Sequence, residues 1–429
     1  MNKVLIISTH FAPDTHIGAK RVTQFAKNLP QFGWQPIILT KALCDYEYLD
    51  EGLNDEIQGM NIIRVKQWRL RKKAASSGSN SGAIKKKLNL IKQVIIYLEQ
   101  YISFDYGWLI PAFWMALRLV KKYEIGIVFA SSPNPESLVI GYLLKKFKGI
   151  KLVCDYRDPW TDRPYLKVPK IRDWIDNALE KSILSDSDLV TTTGMVLRED
   201  LINRYSLKKP ETFKVIYNGY DKDLIGIHRR QNERNDGKLQ ITFWGTLKWF
   251  ITPEYFLRGL SIFLEREKEA KSKICVNFLG RIVGEGLINI TDDLLNKLEL
   301  KEVVSLVDFL PYKEGIARLY ESDVLLLIVP KYGGFTKYRV PAKLFEYMYI
   351  NKPILGLVPL DGECAKLIRQ TAIGRIADPE DIEAIAKVLG EIYADFKNGY
   401  INYKPIYSEI KKFNRVVLTE KLAEYLSNI

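Results

Sequence analysis

Short apolar runs alternate with amphipathic segments along almost the whole chain. The apolar runs predict β-strands, and segments with apolar residues three and four positions apart predict helices. In the first half, the predicted strands are 3–8, 35–40, 61–65, 125–130, 151–154, 189–193 and 213–217, and the predicted helices are 19–29, 86–101, 109–123, 171–184 and a segment after Pro135. Such alternation is typical of a parallel sheet covered by helices.

A polar, charged segment at 228–237 interrupts this alternation, and we interpret it as a linker between domains. The pattern restarts with an apolar run at 239–244. Further strands are predicted at 274–279, 303–306, 324–329, 353–357 and 374–377, with helices between them. Because 429 residues are too many for one ordinary core, we predict two α/β domains, at 1–227 and 238–404, and a separate segment at 405–429.

Composition is that of a globular protein, with 47% hydrophobic and 27% charged residues. No stretch reaches the roughly 20 apolar residues that a membrane-spanning helix needs, and the short apolar run after Met1 is interpreted as a strand rather than a signal peptide. The four cysteines show no close pairing, and the three histidines form no cluster with metal-ligand spacing. We therefore expect a soluble cytoplasmic protein with reduced thiols and no metal site.

The net charge of +13 indicates phosphate-rich partners. Ten of the basic residues lie in a block at 64–92 that contains no acidic residue, with a Ser/Gly-rich stretch at 74–82 that predicts a loop. Together with the aromatic run at 106–114, this block suggests docking on an anionic membrane. The alternative is a solvated loop beside an ordinary core helix. Nucleic-acid binding is disfavoured because no recognised binding motif accompanies the charge.

Ligands of open α/β sheets bind beyond the carboxyl ends of the strands, so the loops there are the candidates for chemistry. The loop after the first strand, at 9–21, contains Gly18 at the start of a helix. Glycine permits close approach of a ligand, and helix-start amides attract anions. The loop is thus a candidate phosphate or acceptor site, or else a simple turn; it lacks the GxGxxG dinucleotide pattern.

The segment 155–160 follows another strand and holds two acids, an arginine and two aromatics. In one interpretation it binds a sugar, with Trp160 stacking on the ring and Asp158 accepting hydroxyl hydrogen bonds. In the other it forms a structural Asp–Arg pair that shapes the wall of a cleft. The residues alone leave both open.

Two glycine-rich loops follow strands of the second domain. The first contains Gly245, Thr246 and Lys248, and the second contains Gly280 and Arg281. Glycine followed by Thr and Lys suits a donor phosphate, and an arginine can bind a phosphate through two parallel hydrogen bonds. Their corresponding positions in one domain favour a shared phosphate site.

The segment 338–355 gives the strongest local signal. Pro341 suits the first position of a helix, and Asn351 suits the left-handed conformation at its end. The buried stripe is predicted to comprise Leu344, Phe345 and Met348. Glu346 lies off that stripe, where its carboxylate can accept hydrogen bonds from ribose hydroxyls; otherwise it is a solvated surface acid.

These motifs together resemble one family. The run 343–347 followed by 351–355 is similar to the donor-site helix and strand of GT-B glycosyltransferases of family 4. The segment 155–160 and the opening from Pro13 to Trp34 look like a bacterial branch of that family. The resemblance implies an α/β GT-B fold, with two Rossmann-like parallel-sheet domains that face a central cleft. It also implies a C-terminal donor domain, an N-terminal acceptor domain, and a final helix at 407–427 that returns to the N-terminal domain.

The resemblance assigns roles residue by residue. Glu346 matches the second glutamate of the family's Glu-x7-Glu motif, which contacts the nucleotide ribose. The helix-start amides of Ala342 and Lys343 would face the diphosphate, and Lys248 and Arg281 are candidates to hold it. Position 338, where the first glutamate belongs, is Tyr338.

The family's usual histidine is also missing here, because residues 131–136 contain none. His16 and Glu136 are the candidate substitutes for it. Both residues are therefore predicted as candidate catalytic groups.

The sequence therefore predicts a glycosyltransferase that moves a sugar from a nucleotide-sugar donor, UDP- or GDP-linked, to a saccharide or lipid-linked acceptor. By the resemblance it retains anomeric configuration, needs no metal or other cofactor, and serves bacterial surface polysaccharide synthesis in the cytoplasm, with contact to the inner face of the membrane. Two alternatives of different classes are a noncatalytic GT-B binding subunit and a nucleotide-sugar 2-epimerase.

Overall fold

The computed structural model describes residues 1–68, 106–161, 168–221, 236–308, 310–331 and 333–429. The described chain divides into two compact units: unit 1 comprises Met1–Tyr217 and Leu418–Ile429, and unit 2 comprises Asn218–Val417. Three sequence predictions lie outside the described residues: the helix at 86–101, most of the basic block at 64–92 with its loop at 74–82, and most of the linker at 228–237.

Unit 1 is a parallel sheet with helices. Its described strands form a seven-stranded sheet in the order β3-β2-β1-β4-β5-β6-β7. The strands are β1 (Asn2–Ser8), β2 (Trp34–Lys41), β3 (Asn61–Val65), β4 (Ile127–Ser131), β5 (Lys151–Tyr156), β6 (Leu189–Thr192) and β7 (Phe213–Val215). The helices are α1 (Ile17–Asn28), α2 (Tyr106–Tyr123), α3 (Pro135–Lys148), α4 (Lys170–Asp186) and α5 (Met195–Tyr205).

The core of unit 1 surrounds the inner strand β1. From Val4 to Ile7 this strand is wholly buried, as expected for a strand of a parallel sheet whose faces are both covered. Val4 and Ile6 pack with Phe25 of α1 and Phe129 of β4. Residues from the end of the chain complete the same cluster, namely Leu418, Leu422, Ala423 and Leu426.

Unit 2 repeats this plan. Its described strands form a six-stranded parallel sheet in the order β12-β10-β8-β13-β14-β15, and β9 and β11 form a small separate pair. The strands are β8 (Leu239–Trp244), β9 (Leu247–Lys248), β10 (Ile274–Leu279), β11 (Ile282–Val283), β12 (Val304–Val307), β13 (Val324–Ile328), β14 (Ile354–Leu357) and β15 (Gly374–Ala377). The helices are α6 (Glu254–Arg266), α7 (Leu287–Lys297), α8 (Tyr312–Tyr320), α9 (Ala342–Ile350), α10 (Glu363–Thr371), α11 (Ile382–Lys397) and α12 (Tyr407–Lys411), followed by α13 (Arg415–Ser427).

The predicted helix at 407–427 is wrong as one continuous element. The structure has two helices, α12 and α13, separated at 412–414. There the chain leaves the helix to pair with Tyr220, whose backbone N–H donates to Phe413 O and whose carbonyl accepts from Arg415 N, at 2.9 and 3.0 Å. Asn414 Oδ1 then accepts from Val416 N at 2.8 Å and caps α13. Among the helices that the structure describes, no candidate for a membrane-spanning segment occurs.

The strand order reverses once in each sheet, and this locates the candidate sites. In unit 1 the reversal lies between β1 and β4, and in unit 2 between β8 and β13. At such a point the loops that leave neighbouring strands diverge and open a crevice at the carboxyl edge of the sheet. The loops after β1, β8 and β13 are therefore where a ligand of each unit is expected.

Candidate functional site

The two glycine-rich loops of unit 2 lie side by side at the carboxyl edge of the sheet. Gly245 N donates to Leu279 O at 2.8 Å and Leu247 N donates to Arg281 O at 2.9 Å, so the loops after β8 and β10 run in register. A β-carbon on Gly280, at φ +132°, would lie 2.5 Å from Gly245 O. Only glycine fits there, because the backbones approach too closely for a side chain.

Helix α9 is fixed against the end of β8. The Tyr347 hydroxyl, fully buried, accepts from Trp244 N at 3.1 Å and donates to Leu326 O at 3.4 Å. The helix ends as predicted at Asn351, which has the left-handed φ of 62°. Pro341 precedes the helix as its N-cap, one position before the predicted place. The first turn of α9 therefore lies beside the loop after β8.

Lys343 brings a positive charge to this place. Its Nζ lies 4.1 Å from the centre of the Phe243 ring, and a β-carbon on Gly245 would lie 2.4 Å from it. Burial of the ammonium lowers the pKa of Lys343 to about 8; Glu346 opposes this shift and Arg339 adds to it. Within the described part of the chain no carboxylate or other acceptor lies at bonding distance from this ammonium. It is a cation held on an aromatic face without a bonded carboxylate among the described residues.

The other donor-site candidates differ in their exposure. Glu346 is half-buried, one turn further along α9, as its position off the buried stripe predicts. Lys248 and Arg281 are exposed. Thr246, in the loop after β8, is half-buried. Tyr338 is only 5% exposed, so the position of the family's first glutamate is here a buried aromatic residue.

Arg339 is a basic residue of this site that sequence reasoning missed. Its guanidinium lies 5.9 Å from the centre of the Phe250 ring, and its charge lowers the pKa of Lys343. The sequence signal that could have identified Arg339 is its position two residues before Pro341, which precedes the helix. Two cations whose charges influence each other indicate a site for a ligand with more than one negative charge.

In unit 1 the carboxyl edge is organised by a buried ion pair. Arg21 of α1 reaches Asp155 of β5 through Nε at 3.2 Å and Nη2 at 2.8 Å, and its Nη1 donates to Tyr217 O. Ser131 and Thr191 hydroxyls also donate to the carboxylate, each at 2.7 Å. Burial alone would raise the pKa of Asp155, but Arg21 and the two hydroxyls outweigh it and lower the pKa. Asp155 thus forms a structural Asp–Arg pair, but with Arg21 of α1, a residue outside the segment 155–160.

Arg157 and His16 enclose the start of α1. A β-carbon on Gly18 would lie 2.6 Å from His16 Nδ1 and 2.8 Å from Arg157 Nη1. His16 Nδ1 accepts from Gly18 N at 3.0 Å and caps the helix. Burial and then the neighbouring His10 lower the pKa of His16 to about 4. Its ring is therefore neutral near pH 7, with one nitrogen engaged in the cap.

A second histidine of the same loop, missed at the sequence level, has a carboxylate partner. His10 Nδ1 lies 2.5 Å from Asp14 Oδ2, and the His10 ring stacks on His16 with centroids 3.8 Å apart. Asp14 Oδ1 accepts from His16 N at 3.0 Å. Burial would raise the pKa of Asp14, yet the hydrogen bonds from His10 and His16 lower it. A histidine and an aspartate four residues apart after a first strand were the available signal.

The remaining candidates of unit 1 differ in exposure. Trp160 is 4% exposed, and its backbone N–H donates to the buried Glu180 at 3.4 Å. This burial disfavours the prediction that its indole stacks on a sugar. Glu136 is 3% exposed in the first turn of α3. Asp158 is exposed, so its carboxylate is open to hydroxyl groups.

Comparison with known proteins shows which family the first half of the chain resembles. Residues 18–224 match the model described as Glycosyltransferase Family 4. This part, just under half of the chain, is thus similar to glycosyltransferase family 4. A relative, the probable glycosyltransferase WbjE of Pseudomonas aeruginosa, is 23% identical over 295 residues, which are 66% of this chain and 70% of WbjE.

Solved structures support the fold of this glycosyltransferase. The crystal structure of HepE from Anabaena in complex with UDP and glucose aligns with a TM-score of 0.64 at 13% identity and covers 100% of both chains. Sucrose-phosphate synthase from Thermosynechococcus elongatus aligns with a TM-score of 0.65 at 15% identity, over 100% of this chain and 99% of that one. The predicted GT-B fold, with two parallel-sheet domains, is confirmed.

The family match and the two sites of the glycosyltransferase overlap only in part. The matched residues 18–224 contain Gly18, Arg21 and Asp155 of unit 1. Lys343 and Glu346 of unit 2 lie outside the match. A donor site in unit 2 is therefore supported only by the geometry of that unit's own residues.

Proposed function

We propose that this glycosyltransferase takes its sugar from a nucleoside diphosphate sugar bound by unit 2 where α9 begins. The observation that carries the proposal is the ammonium of Lys343, held on the Phe243 ring against Gly245 without a carboxylate contact among the described residues. A diphosphate supplies the missing negative charge. UDP is favoured over GDP, because the structurally similar HepE was solved with UDP.

The chemistry follows from how charge develops during transfer. The bond between the anomeric carbon and the diphosphate breaks, and negative charge builds on the departing phosphate oxygens. The free amides at the start of α9 and the charges of Lys343 and Arg339 stabilise that charge. Lys248 and Arg281 add exposed cations after the neighbouring strands, and Glu346 accepts hydrogen bonds from the ribose. We propose that these groups serve without a metal and that anomeric configuration is retained.

The acceptor, in this proposal, is bound by unit 1. It is a saccharide or a lipid-linked saccharide of bacterial surface polysaccharide synthesis.

A surface on α2 and α3 supports contact with a membrane. Trp114 and Phe147 are 61% and 67% exposed, and Phe113 contacts both rings with centroids 6.1 and 6.0 Å away. Lys146 lies beside this aromatic surface on α3. Aromatic and lysine side chains together are typical of surfaces that bind anionic bilayers.

The membrane proposal is tested by co-sedimentation with vesicles containing phosphatidylglycerol. Replacing Trp114 and Phe147 with alanine is expected to reduce the bound fraction, and neutralising Lys85, Lys86 and Lys87 to reduce it at low salt. Binding that neither set of substitutions changes would contradict it.

Calorimetric titration with UDP tests the donor site. We expect Lys343→Met to weaken UDP binding by about 10- to 100-fold, the loss of one or two charged hydrogen bonds. The matched control is Lys337→Met, which removes an equal charge six residues away, where the ammonium is exposed and paired with Asp361 at 2.5 Å. Equal losses in both variants would mean that overall charge, rather than this site, attracts UDP.

A second titration separates ribose recognition from phosphate recognition. If Glu346 binds the ribose hydroxyls, the wild type prefers UDP over 2′-deoxy-UDP and Glu346→Ala loses that preference while it still binds UDP. A variant that keeps the full preference would remove Glu346 from the ribose site.

One observation favours a noncatalytic binding subunit as the second candidate function. Tyr338 is buried at the position where the family places a glutamate near the transferred sugar. Such a subunit would bind UDP without consuming a UDP-sugar. Release of UDP from UDP-glucose, UDP-galactose or UDP-N-acetylglucosamine, measured with an octyl glucoside acceptor, separates the two functions.

A further inference from the structure

One face of the unit 2 sheet carries a row of polar side chains. In the pairing of β8 with β10, Gln240 lies opposite Cys275. Two residues further along, Thr242 lies opposite Asn277, and Asn277 in turn lies opposite Ser305 of β12. Because side chains alternate between the faces of a strand, these residues share one face, and the residues between them belong to the apolar core on the other. Parallel strands are usually apolar on both faces, so this row is unusual.

A cavity of about 490 Å³ lies against the polar row. Its described wall comes from β8, β10, β12 and α8, all within unit 2. Glu314 and Arg318 of α8 line it opposite the sheet, and Leu279, Val307 and Leu310 add apolar surface near the carboxyl ends of β10 and β12. This volume lies in the range of pockets that bind small molecules.

Helix α8 is fixed against β8 at both of its ends. A β-carbon on Gly315 would lie 2.8 Å from the Trp244 ring, so the start of the helix packs closely on the end of β8. Just after the helix, Ser322 Oγ lies 2.7 Å from Thr242 Oγ1 and 2.9 Å from Arg318 O. The wall of the cavity is therefore preorganised, which lowers the entropic cost of binding a ligand there.

A chain of hydrogen bonds orients the amides of the polar row. Asp236 Oδ2 accepts from Gln240 Nε2 at 3.3 Å, and Gln240 Oε1 accepts from Asn277 Nδ2 at 2.9 Å. Each amide nitrogen keeps a second hydrogen to donate, and Asn277 Oδ1 can accept a hydrogen bond. The Ser305 hydroxyl, on the neighbouring strand, can do both. Donors and acceptors side by side suit the hydroxyl groups of a ligand, because each hydroxyl also donates and accepts.

Charge distinguishes this cavity from the donor-site candidates. The described lining contains three carboxylates, of Asp236, Glu314 and Glu321, and one cation, Arg318. The Arg318 guanidinium is itself 3.7 Å from the Glu321 carboxylate. An excess of negative charge disfavours phosphates and other anions. A neutral ligand with hydroxyl groups on one side and an apolar C–H surface on the other, such as a sugar ring, fits both the polar row and the apolar part of the wall.

We propose that this cavity is a saccharide site of unit 2, which binds a neutral mono- or disaccharide through the amides of Asn277 and Gln240 and the hydroxyl of Ser305. None of the donor-site candidates is among the described residues that line it. The site therefore goes beyond the proposed donor function, and its existence does not depend on that function.

Protection of Cys275 from alkylation tests occupancy of the cavity in the unaltered protein. Cys275 is half-buried in the cavity wall, and Cys44 of unit 1 is an exposed free thiol that serves as the internal control. Labelling by N-ethylmaleimide is followed at each cysteine by peptide mass spectrometry, with glucose, N-acetylglucosamine, maltose or sucrose as the probe. We expect at least one probe, at ten times its Kd, to slow labelling of Cys275 by about 10-fold and to leave Cys44 unchanged. Equal protection by glycerol, or slowing at neither or both cysteines, would contradict the proposal.

Saturation-transfer NMR of the probes tests the side chains of the site. Asn277→Leu removes the amide at similar volume, and we expect it to weaken saccharide binding by at least about 10-fold. Asn296→Leu, the same change on the exposed surface of α7, should leave binding unchanged. An amide with a purely structural role would instead lower the Tm when replaced and leave binding intact. If Asn277→Leu does not fold, Ser305→Trp, which fills the cavity from β12, takes its place, and unchanged binding in that variant would overturn the proposal.

The same NMR measurement tests the charge of the ligand. Glucose 1-phosphate has the ring of glucose with an added anion, which the carboxylates of the wall repel. We expect it to bind at least about 10-fold more weakly than glucose at low ionic strength. Tighter binding of the phosphate would overturn the assignment of a neutral ligand.

UDP separates this cavity from the donor site. The affinity for the saccharide is measured with and without saturating UDP, and again in Lys343→Met. We expect the same Kd in all three cases. Displacement by UDP, or loss of binding in Lys343→Met, would place the saccharide in the donor site and overturn this inference. A protein that binds the saccharide but not UDP would contradict only the proposed function, and one that binds UDP but no saccharide would contradict only this inference.

Discussion

The ammonium of Lys343 occupies the space that a side chain at residue 245 would fill. Nζ would lie 2.4 Å from a β-carbon on Gly245, and the ring of Phe243 lies beneath it at 4.1 Å. The lysine in the first turn of α9 can place its ammonium here only because the residue after β8 is a glycine. The result is a partly desolvated cation at the strand-order reversal of unit 2, and it has consequences for binding and for stability.

UDP binding is expected to depend on pH through Lys343. Its pKa in the free protein is about 8, lowered chiefly by burial. Below pH 8 the ammonium is present before UDP binds; above pH 8 binding has to take up a proton, so affinity falls as pH rises from 8 to about 9.5. Calorimetry should show this fall in the wild type and a flat profile in Lys343→Met. The same slope in both proteins would assign the dependence to another group.

The same lysine should cost the ligand-free fold some stability. The folded-state pKa of about 8 lies below the ordinary 10.5, so between these values the unfolded chain binds the proton and the folded one does not. Stability from this position therefore rises from pH 8 to 10.5 and is lowest at neutral pH. We expect Lys343→Met to raise the Tm by on the order of a few degrees at pH 7, although it weakens UDP binding. A lower Tm would show that the ammonium is well solvated.

Gly280 is expected to tolerate no side chain. A β-carbon there would lie 2.5 Å from the carbonyl oxygen of Gly245, and its φ of +132° disfavours other residues. Gly280→Ala should lower the free energy of unfolding by at least about 1–3 kcal/mol. The matched control is Gly390→Ala inside α11, where the nearest atom is 3.9 Å away; it should be neutral or stabilising by about 0.5–1 kcal/mol. Denaturant titration of both variants measures these changes. Equal free energies of unfolding in the two variants would show that the two loops separate easily.

Asp155 should be essential for the stability of unit 1. Asp155→Asn leaves the guanidinium of Arg21, 3% exposed, without its carboxylate, a loss of about 3–5 kcal/mol. Because the folded-state pKa of Asp155 is lowered, its contribution is present at neutral pH and is lost as pH falls below the usual aspartate range through the folded value. The control Asp158→Asn changes an exposed acid of the same segment and should shift stability by less than about 0.5 kcal/mol. Urea titrations at pH 7 measure the effect of the substitutions, and titrations of the wild type from pH 7 down to about pH 2 measure the loss on protonation.

The sequence by itself determined the elements and the edges at which ligands bind. Continuous apolar runs such as Val4–Ile7 predicted buried parallel strands, and Asn351 predicted the end of α9, because burial and backbone preference are local properties of the residues. It also placed Gly245 and Gly280 in corresponding loops and Glu346 off the buried stripe. These predictions needed only periodicity and the special conformations of glycine and asparagine.

The tertiary structure alone decided which side chains meet. Arg21 and Asp155 are 134 residues apart, and their contact follows from strand order, which periodicity does not encode. The division into α12 and α13 follows from pairing with the distant Tyr220. The partners of two histidines in one loop also follow from its fold, which places His10 against Asp14 and His16 at the start of α1. Local patterns specify which face of an element is buried; register and packing specify the partner that each side chain finds there.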